Sequence, residues 1–443
     1  MKVGIIGAGA AGLTAAYELS KQGHKAIIFE EAPFLGGQAS TIDVEGSRLE
    51  KGYHHWFTND TNIIQLTEEL GLGEQIRWID STVATLCEGE IYDFVTPMDL
   101  LKFKPLKFFE RLRLGLVTLY LQRQRNYHKY ESISAEKWLK QHVGAGGYEK
   151  FWEPMLRGKF GEVYYKEISM AWVWGKIQTR VKSRSKNMVR EKLGYPVCSF
   201  GEIFDVLADR IRQSSGEVHL STKVSKIITS GNTATGLTVA SGSLQSQENF
   251  DAIIATTPSY VIPKLLDGLP DNYLSKLKQV EYLGAVLLIL LLDRPLSSVY
   301  WLNIADRTIP FVAAIEHTNL LGPEYYAGNH IVYLSNYLTA DDPLFVMSED
   351  ELLSEYMPHI KKINPEFDPS WIKKVFHQRV SAAQPIISVD YQKRIPQHQT
   401  PFDNLYLANT TQIYPEDRGT NYSVKMGKAI AEQVMLDFGY EFV

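Results

Sequence analysis

The sequence predicts an α/β fold in which an amino-terminal Rossmann-type domain is completed by later parts of the chain and interrupted by a discontinuous α+β domain. Three observations predict it. A short β-branched run, Val3 to Ile6, leads at once into a glycine-rich turn and an Ala- and Leu-rich helical segment from Gly12 to Ser20. The 443 residues exceed what one hydrophobic core usually serves. Composition also shifts: residues 95 to 190 are rich in Leu, Phe, Trp, Lys and Arg with few strand signals, and strand patterns return from residue 218.

Each element follows in chain order. A second apolar run, Ala26 to Phe29, succeeds the break at Gln22-Gly23-His24 and ends at Glu30, giving one βαβ unit of roughly 30 residues. Thr61 to Leu70 has helical spacing and stops at Gly71. Residues 95 to 190 are expected to be mainly helical, as an insertion. Strands are expected at 218 to 228, 234 to 240 and 250 to 255, and a second sheet at 282 to 292, 310 to 316 and 330 to 337. Leu405 to Ala408 reads as the last strand, followed by a helix from Ser423 to Phe438. The resulting division places 1–95, 193–268 and 396–443 in the nucleotide-binding domain, with 96–192 and 269–395 in the substrate domain.

Hydrophobic residues make up 44% and charged residues 22%, an ordinary globular balance that excludes disordered and fibrous classes. Cys87 and Cys198 are too few and too far apart for a disulfide framework, and no metal site is expected. The first strand begins at Lys2, leaving no room for a secretory leader, so a cytoplasmic location is expected. The apolar run Leu283 to Leu292 is too short to span a bilayer as a helix and reads as a buried strand.

Net charge is only -5, yet residues 102 to 129 carry eight Lys or Arg against one Glu, and 176 to 192 carry seven against one. Such asymmetry marks either a solvated basic face or a surface that meets phosphates, carboxylates or anionic lipid. Residues 100 to 121 mix basic and large apolar side chains. Both an interfacial membrane helix and a core helix with snorkelling basic side chains fit, so residues 100–130 are a candidate peripheral membrane contact. No nucleic-acid partner is expected, and the oligomeric state is left open.

Gly7-Ala8-Gly9-Ala10-Ala11-Gly12 supplies G-x-G-x-x-G directly after a strand and opening a helix. Gly7 permits the tight turn, Gly9 lets amides approach a diphosphate, and Gly12 allows close helix packing. The helix N-terminus presents free N–H groups to the phosphates. Glu30, with Glu31 beside it, ends the second strand, where a carboxylate accepts ribose hydroxyls and repels a 2′-phosphate, which disfavours NADP. FAD and NAD both fit that fingerprint. A second glycine pair in Leu35-Gly36-Gly37-Gln38-Ala39-Ser40 admits a bulkier cofactor and points to FAD. The segment Glu50-Lys51-Gly52-Tyr53-His54-His55-Trp56-Phe57 then sets glycine beside a polar and aromatic cluster.

Together these segments resemble the flavin amine oxidase superfamily, which includes protoporphyrinogen oxidases, phytoene desaturases and, more distantly, UDP-galactopyranose mutases. The resemblance implies an FAD cofactor. It implies further cofactor contacts from Val224 in Thr222 to Ile227, from Ala255 and Thr256, and from Gly52, Tyr53, His54 and His55. The carboxyl-terminal Asn409-Thr410 and Asn421-Tyr422-Ser423 resemble the closing FAD motif, whose helix N-terminus faces the flavin pyrimidine ring. Two departures stand out: Asn409-Thr410 where the family commonly has Gly-Asp, and Gln38 where it commonly has Arg. No equivalent is evident for the lysine that amine-oxidising members place near the flavin, which weakens an amine-oxidase assignment.

Because flavin itself accepts a hydride, the chain needs positioning groups more than strong acids and bases. His54 and His55 are candidate catalytic residues if they lie near the ring, with a purely structural pair as the alternative. Tyr422 and nearby Arg418 are candidates on the same terms. Glu316 and His317, at the end of an expected strand, are candidate pocket residues. Trp152, Arg157, Phe160, Trp172 and Trp174 either line an apolar cavity or pack in the core. The expected function is FAD-dependent oxidation or desaturation of a largely apolar or aromatic small molecule, protoporphyrinogen- or isoprenoid-like, by hydride transfer to flavin N5. The alternatives are non-redox, mutase-like flavin chemistry on a nucleotide sugar and a flavin-binding protein without turnover.

Overall fold

The structure is a computed structural model that describes residues 1–183 and 191–441, so part of the basic run expected at 176 to 192 lies outside the described residues. The short apolar runs Lys2–Ile6 and Lys25–Phe29 pair in parallel because the helix Ala10–Lys21 carries the chain back between them. Later segments extend this sheet on both sides. Its order is Glu217–His219, Lys25–Phe29, Lys2–Ile6, Ala252–Ala255 and Leu405–Leu407, all parallel. The expected Rossmann-type domain is therefore completed by distant parts of the chain.

The strand expected at 218 to 228 is two strands in two sheets. Ser221 adopts a left-handed φ of 50° and its N–H donates to Ala32 O, which ends the first strand beside Lys25–Phe29. The second, Lys223–Ser230, pairs antiparallel with Thr233–Ser241, which in turn pairs with Leu244–Asn249.

The second sheet has seven strands, in the order Ile372–Pro385, Tyr282–Leu292, His330–Leu338, Ala313–Glu316, Trp301–Ile304, Val83–Cys87 and Glu90–Asp93. Tyr282–Leu292 is an inner strand buried on both faces, and the period of two sorts its side chains. Leu283, Leu287, Ile289 and Leu291 join the core shared with the Rossmann-type domain. Val286, Leu288, Leu290 and Leu292 pack instead into a second core that includes Leu352, Tyr356 and Ile360 of the helix Glu349–Ile360. The hairpin Val83–Asp93 precedes the helical insertion but pairs here, Val83 to Leu86 running parallel to Trp301–Ile304.

The insertion is helical as expected, with helices at Pro97–Lys102, Phe108–Arg123, Ala135–Gly147, Glu153–Tyr164 and Met170–Lys182. Trp152, Phe160, Trp172 and Trp174 are buried in its core. Arg157 bonds Glu162 and Ala305 O. The four aromatic side chains pack in the core, whereas Arg157 makes polar contacts. No described helix is long and apolar enough to cross a membrane. The closing helix, Thr420–Asp437, starts three residues before the expected Ser423 and lies against Ala10–Lys21.

Leu288 is fully buried on the inner strand of the larger sheet. Leu288→Ala is expected to cost about 2–5 kcal/mol, read as a lowered Tm with the far-UV circular dichroism of the folded protein unchanged.

Candidate functional site

The glycine turn sits where the first strand meets its helix. Gly7 has φ 105°, and a Cβ there would lie 2.6 Å from Thr256 Oγ1. At Gly12 a Cβ would lie 2.1 Å from Gly7 O, so only glycine lets the helix start this close to the turn. Gly9 differs: a Cβ there would meet nothing nearer than Gly37 Cα at 4.0 Å. Protein packing does not require glycine at that point, whereas a ligand pressed against the backbone would. Ala10 and Ala11 form the first turn of a helix that has no capping side chain, which leaves its amides free for an anion.

Glu30 closes the other side. Its Oε2 accepts the Ala8 N–H at 2.8 Å and its Oε1 the Ala32 N–H at 2.9 Å, which fixes the carboxylate at the strand end. Glu31 points outward to pair with Lys223 at 2.8 Å. The Gly36 N–H donates to Ala8 O at 2.9 Å and Gly37 packs on Gly9, so the loop Gly36-Gly37-Gln38-Ala39-Ser40 lies on the turn. Ala39, Ser40, Val224 and Ala255 are buried. The Thr256 hydroxyl donates to Ile6 O at 2.8 Å, and the buried Thr257 Oγ1 next to it has no partner among the described residues.

The residues at the family departures are engaged within the protein. Gln38 Nε2 donates to Ala382 O at 2.8 Å, and its Oε1 accepts from Arg418 at 3.3 Å. Asn409 Nδ2 donates to Thr257 O at 2.8 Å, while its Oδ1 accepts the Thr411 N–H and hydroxyl. Thr410 begins the short turn Thr410–Gln412. Asn421 was expected to touch the cofactor, but its Oδ1 accepts the Asn62 and Ile63 N–H groups at 2.9 and 3.2 Å and caps the helix Thr61–Glu69. Tyr422 and Ser423 are half-buried in the first turn of the closing helix. Burial pushes the Tyr422 hydroxyl up to about 12, with a hydrogen bond from Thr179 opposing.

The segment Gly52 to His55 is linked to the Gly36–Ser40 loop through Arg418, which bonds Gln38 and whose charge acts on His54. His54 Nδ1 donates to Gly52 O at 2.6 Å, which leaves Nε2 of the neutral ring as an acceptor. His55 Nδ1 meets the Tyr300 hydroxyl at 2.9 Å. Burial is the main cause that lowers both imidazoles, His54 to about 4 with Arg418 adding to it, and His55 to about 3 with Arg180 and Lys176 adding to it. Tyr53 and His55 stand edge-on to Trp301, with ring centroids 4.9 and 5.9 Å away.

A cationic cluster missed in the sequence adjoins this segment. Asp417 Oδ2 pairs with Lys159 and Lys176, each at 3.0 Å. Burial opposes its ionisation, but the two lysines and Arg418 hold its carboxyl well below the usual range. Arg418 donates to Gln384 Oε1 and to the Tyr337 hydroxyl. Burial alone would raise that hydroxyl, yet Lys159 and Arg418 bring it below its usual value. Burial, then the like charges of Lys159 and Arg180, lowers the Lys176 ammonium despite Asp417. Lys176 opens the expected basic run, but no local pattern pairs it with Lys159 or Asp417.

Glu316 and His317 do not belong to the site. The Glu316 carboxylate accepts the Leu296 and Ser297 N–H groups and the Ser297 hydroxyl, clamping a turn. Burial raises it to about 7. His317 Nε2 meets the Tyr326 hydroxyl at 2.7 Å among Tyr195 and Tyr333, fully enclosed. A strand end sealed by its own turn offers no route to a ligand, and the catalytic expectation for both is corrected.

The contrast between Gly9 and Gly12 is testable. Gly9→Val is expected to leave the apoprotein's Tm unchanged and to weaken FAD binding by roughly tenfold or more, since lost backbone approach is a lost contact. Gly12→Val is expected to lower the Tm itself. Thermal melts and flavin fluorescence titration of the apoproteins check both.

A family model described as flavin containing amine oxidoreductase matches residues 10–435. The 15-cis-phytoene desaturase, chloroplastic/chromoplastic, of Glycine max is 23% identical over 99% of this chain and 80% of its own. Among solved structures, a reduced UDP-galactopyranose mutase superposes with TM-score 0.77 at 16% identity, over 100% of this chain and 96% of that one. An oxidoreductase from Methanosarcina mazei superposes with TM-score 0.75 at 20% identity, over 98% and 100%. The uncapped helix at Gly9, the open space above it and the fixed Glu30 carboxylate fit the diphosphate and ribose of FAD. The chain belongs to the flavin-containing amine oxidoreductase family and is an FAD-dependent oxidoreductase.

Proposed function

We propose that the protein desaturates a largely apolar, isoprenoid- or porphyrinogen-like substrate. One observation carries the reading: beside an aromatic wall of Tyr53, Trp301 and Tyr337, the crevice holds two neutral imidazoles, and its Asp417 carboxylate is matched by two lysines. Such a wall receives apolar surface and supplies a weak proton acceptor without a free carboxylate base. FAD, when bound, supplies the two-electron acceptor for a hydride leaving a C–H bond. The adjacent carbon releases a proton as the double bond forms, and His54 Nε2 is available to take it. Relatedness to a phytoene desaturase supports this class.

A second reading rests on the same cluster. Lys159, Lys176 and Arg418 favour an anionic group, as a nucleotide sugar carries, and the structural likeness to a UDP-galactopyranose mutase accords with it. Anaerobic mixing decides between them. Bleaching of the visible flavin band by a polyene or porphyrinogen, with none by UDP-galactose, is expected. Turnover of UDP-galactopyranose by the pre-reduced protein, without bleaching by any apolar candidate, would overturn the proposal.

The histidines set the pH dependence. Their folded pKa values, about 4 and about 3, lie below the ordinary 6.5. Both rings therefore stay neutral as pH falls through 6.5 and take up protons only near pH 4 and below. The substrate-driven rate of flavin reduction is expected to show no inflection near pH 6.5 in stopped-flow measurements. An inflection there that disappears in His54→Gln would show that a protonated imidazole takes part.

A further inference from the structure

The helix Phe108–Arg123 presents its apolar side to solvent. Phe108, Phe109, Leu112, Leu116, Leu119 and Tyr120 are all exposed, Phe109 by 81% and Leu116 by 68%. At 100° per residue these six fall within one continuous arc of the helix, joined by Arg113 and Arg123. The opposite side, with Leu114 and Leu121, enters the core. Met98 and Leu101 of the preceding helix Pro97–Lys102 extend the exposed apolar surface.

Exposed cations border the ridge: Lys102, Lys104, Lys107, Arg123, Arg125 and Lys129. The acids near them are few. Glu110 caps the Lys107 N–H, and Glu90 faces Lys104 at 3.9 Å. We propose that this face docks on an anionic lipid bilayer, with the helix lying in the plane of the headgroups, its apolar ridge at the acyl boundary and the lysines and arginines against lipid phosphates. Charge complementarity selects this occupant over a second copy of the chain, because two such faces brought together would oppose like charges across an apolar seam.

The helix is also firmly held. Gln178 of Met170–Lys182 donates to the carbonyls of Leu121, Gln122 and Gln124, and Trp174 donates to Gln124 O. The same supporting helix carries Lys176 of the cationic cluster, so the docking face lies one helix from the crevice. This inference does not depend on which substrate enters.

Co-sedimentation of the flavin-loaded protein with phosphatidylcholine vesicles, with and without phosphatidylglycerol, tests it. The expected result is pelleting with the anionic vesicles, weakened by salt, and a partition coefficient reduced roughly tenfold or more in Phe109→Glu/Leu116→Glu. Both positions are exposed, so that variant should keep its flavin absorbance and Tm. Lys102→Glu/Lys107→Glu should lose the preference for phosphatidylglycerol. Protein left in the supernatant with both vesicle types, or equal pelleting with both, overturns the proposal. So does wild-type-like binding by the Phe109→Glu/Leu116→Glu variant, or a concentration-dependent dimer dissolved by those substitutions without vesicle binding.

Discussion

The crevice depends on how closely the last helix approaches the first. At Gly427 a Cβ would lie 2.5 Å from Ala11 O and 2.7 Å from the Thr14 Cβ, so any side chain would push the two helices apart. That approach fixes the closing helix on the helix of the glycine turn, and the segment before it carries Asn409 to Thr257 O and Arg418 to Gln38. It also aligns Leu405–Leu407 beside Ala252–Ala255, which completes the parallel sheet at its edge. A dinucleotide crevice at the carboxyl end of parallel strands is then a consequence of sheet order. Asn421, reaching across to cap Thr61–Glu69, ties a third element to the same contact.

The interior charge follows a different logic. Lys159, Lys176, Arg180 and Arg418 converge near one wall, with Asp417 paired to two of them. Burying cations costs desolvation that a single carboxylate offsets only in part, and the lowered Lys176 ammonium records the remainder. Low-dielectric surroundings strengthen the attraction between Asp417 and its two lysines. The lowered histidines belong to the same field. Imidazolium beside Arg180 and Lys176 would add another like charge, so neutral rings are the state the surroundings favour.

Much of the nucleotide-binding half was legible because its signals are local. The turn at residues 7 to 12 and the acid at Glu30 lie within one βαβ unit, and the strand Tyr282–Leu292 announces itself by an unbroken apolar run. What escaped depends on partners far along the chain. Ile372–Pro385 mixes Lys, His, Gln and Arg with apolar residues because it lies at the edge of its sheet. The break at Ser221 hinges on a φ sign that no residue type there demands. Glu316 and His317 looked functional as polar residues at a strand end, yet the turn at Leu296 and Ser297 folds back over one and aromatic rings enclose the other. Lys159, Lys176 and Asp417 come together only when three separate segments pack.

The helix Phe108–Arg123 shows why sequence pattern alone left two readings open. A helix that buries one stripe needs apolar residues over a limited arc, and Leu114 and Leu121 supply that arc here. The remaining apolar residues exceed what the core contact uses, so the pattern loses its period and matches a core helix and an interfacial one equally well. The inner side packs as a core helix does, and the outer side keeps several large apolar groups in contact with water at a cost of hydration free energy that scales with their area. The two sides of this helix therefore answer to different demands: Leu114 and Leu121 fill the core, and the exposed apolar side is the feature on which the proposal of membrane docking rests.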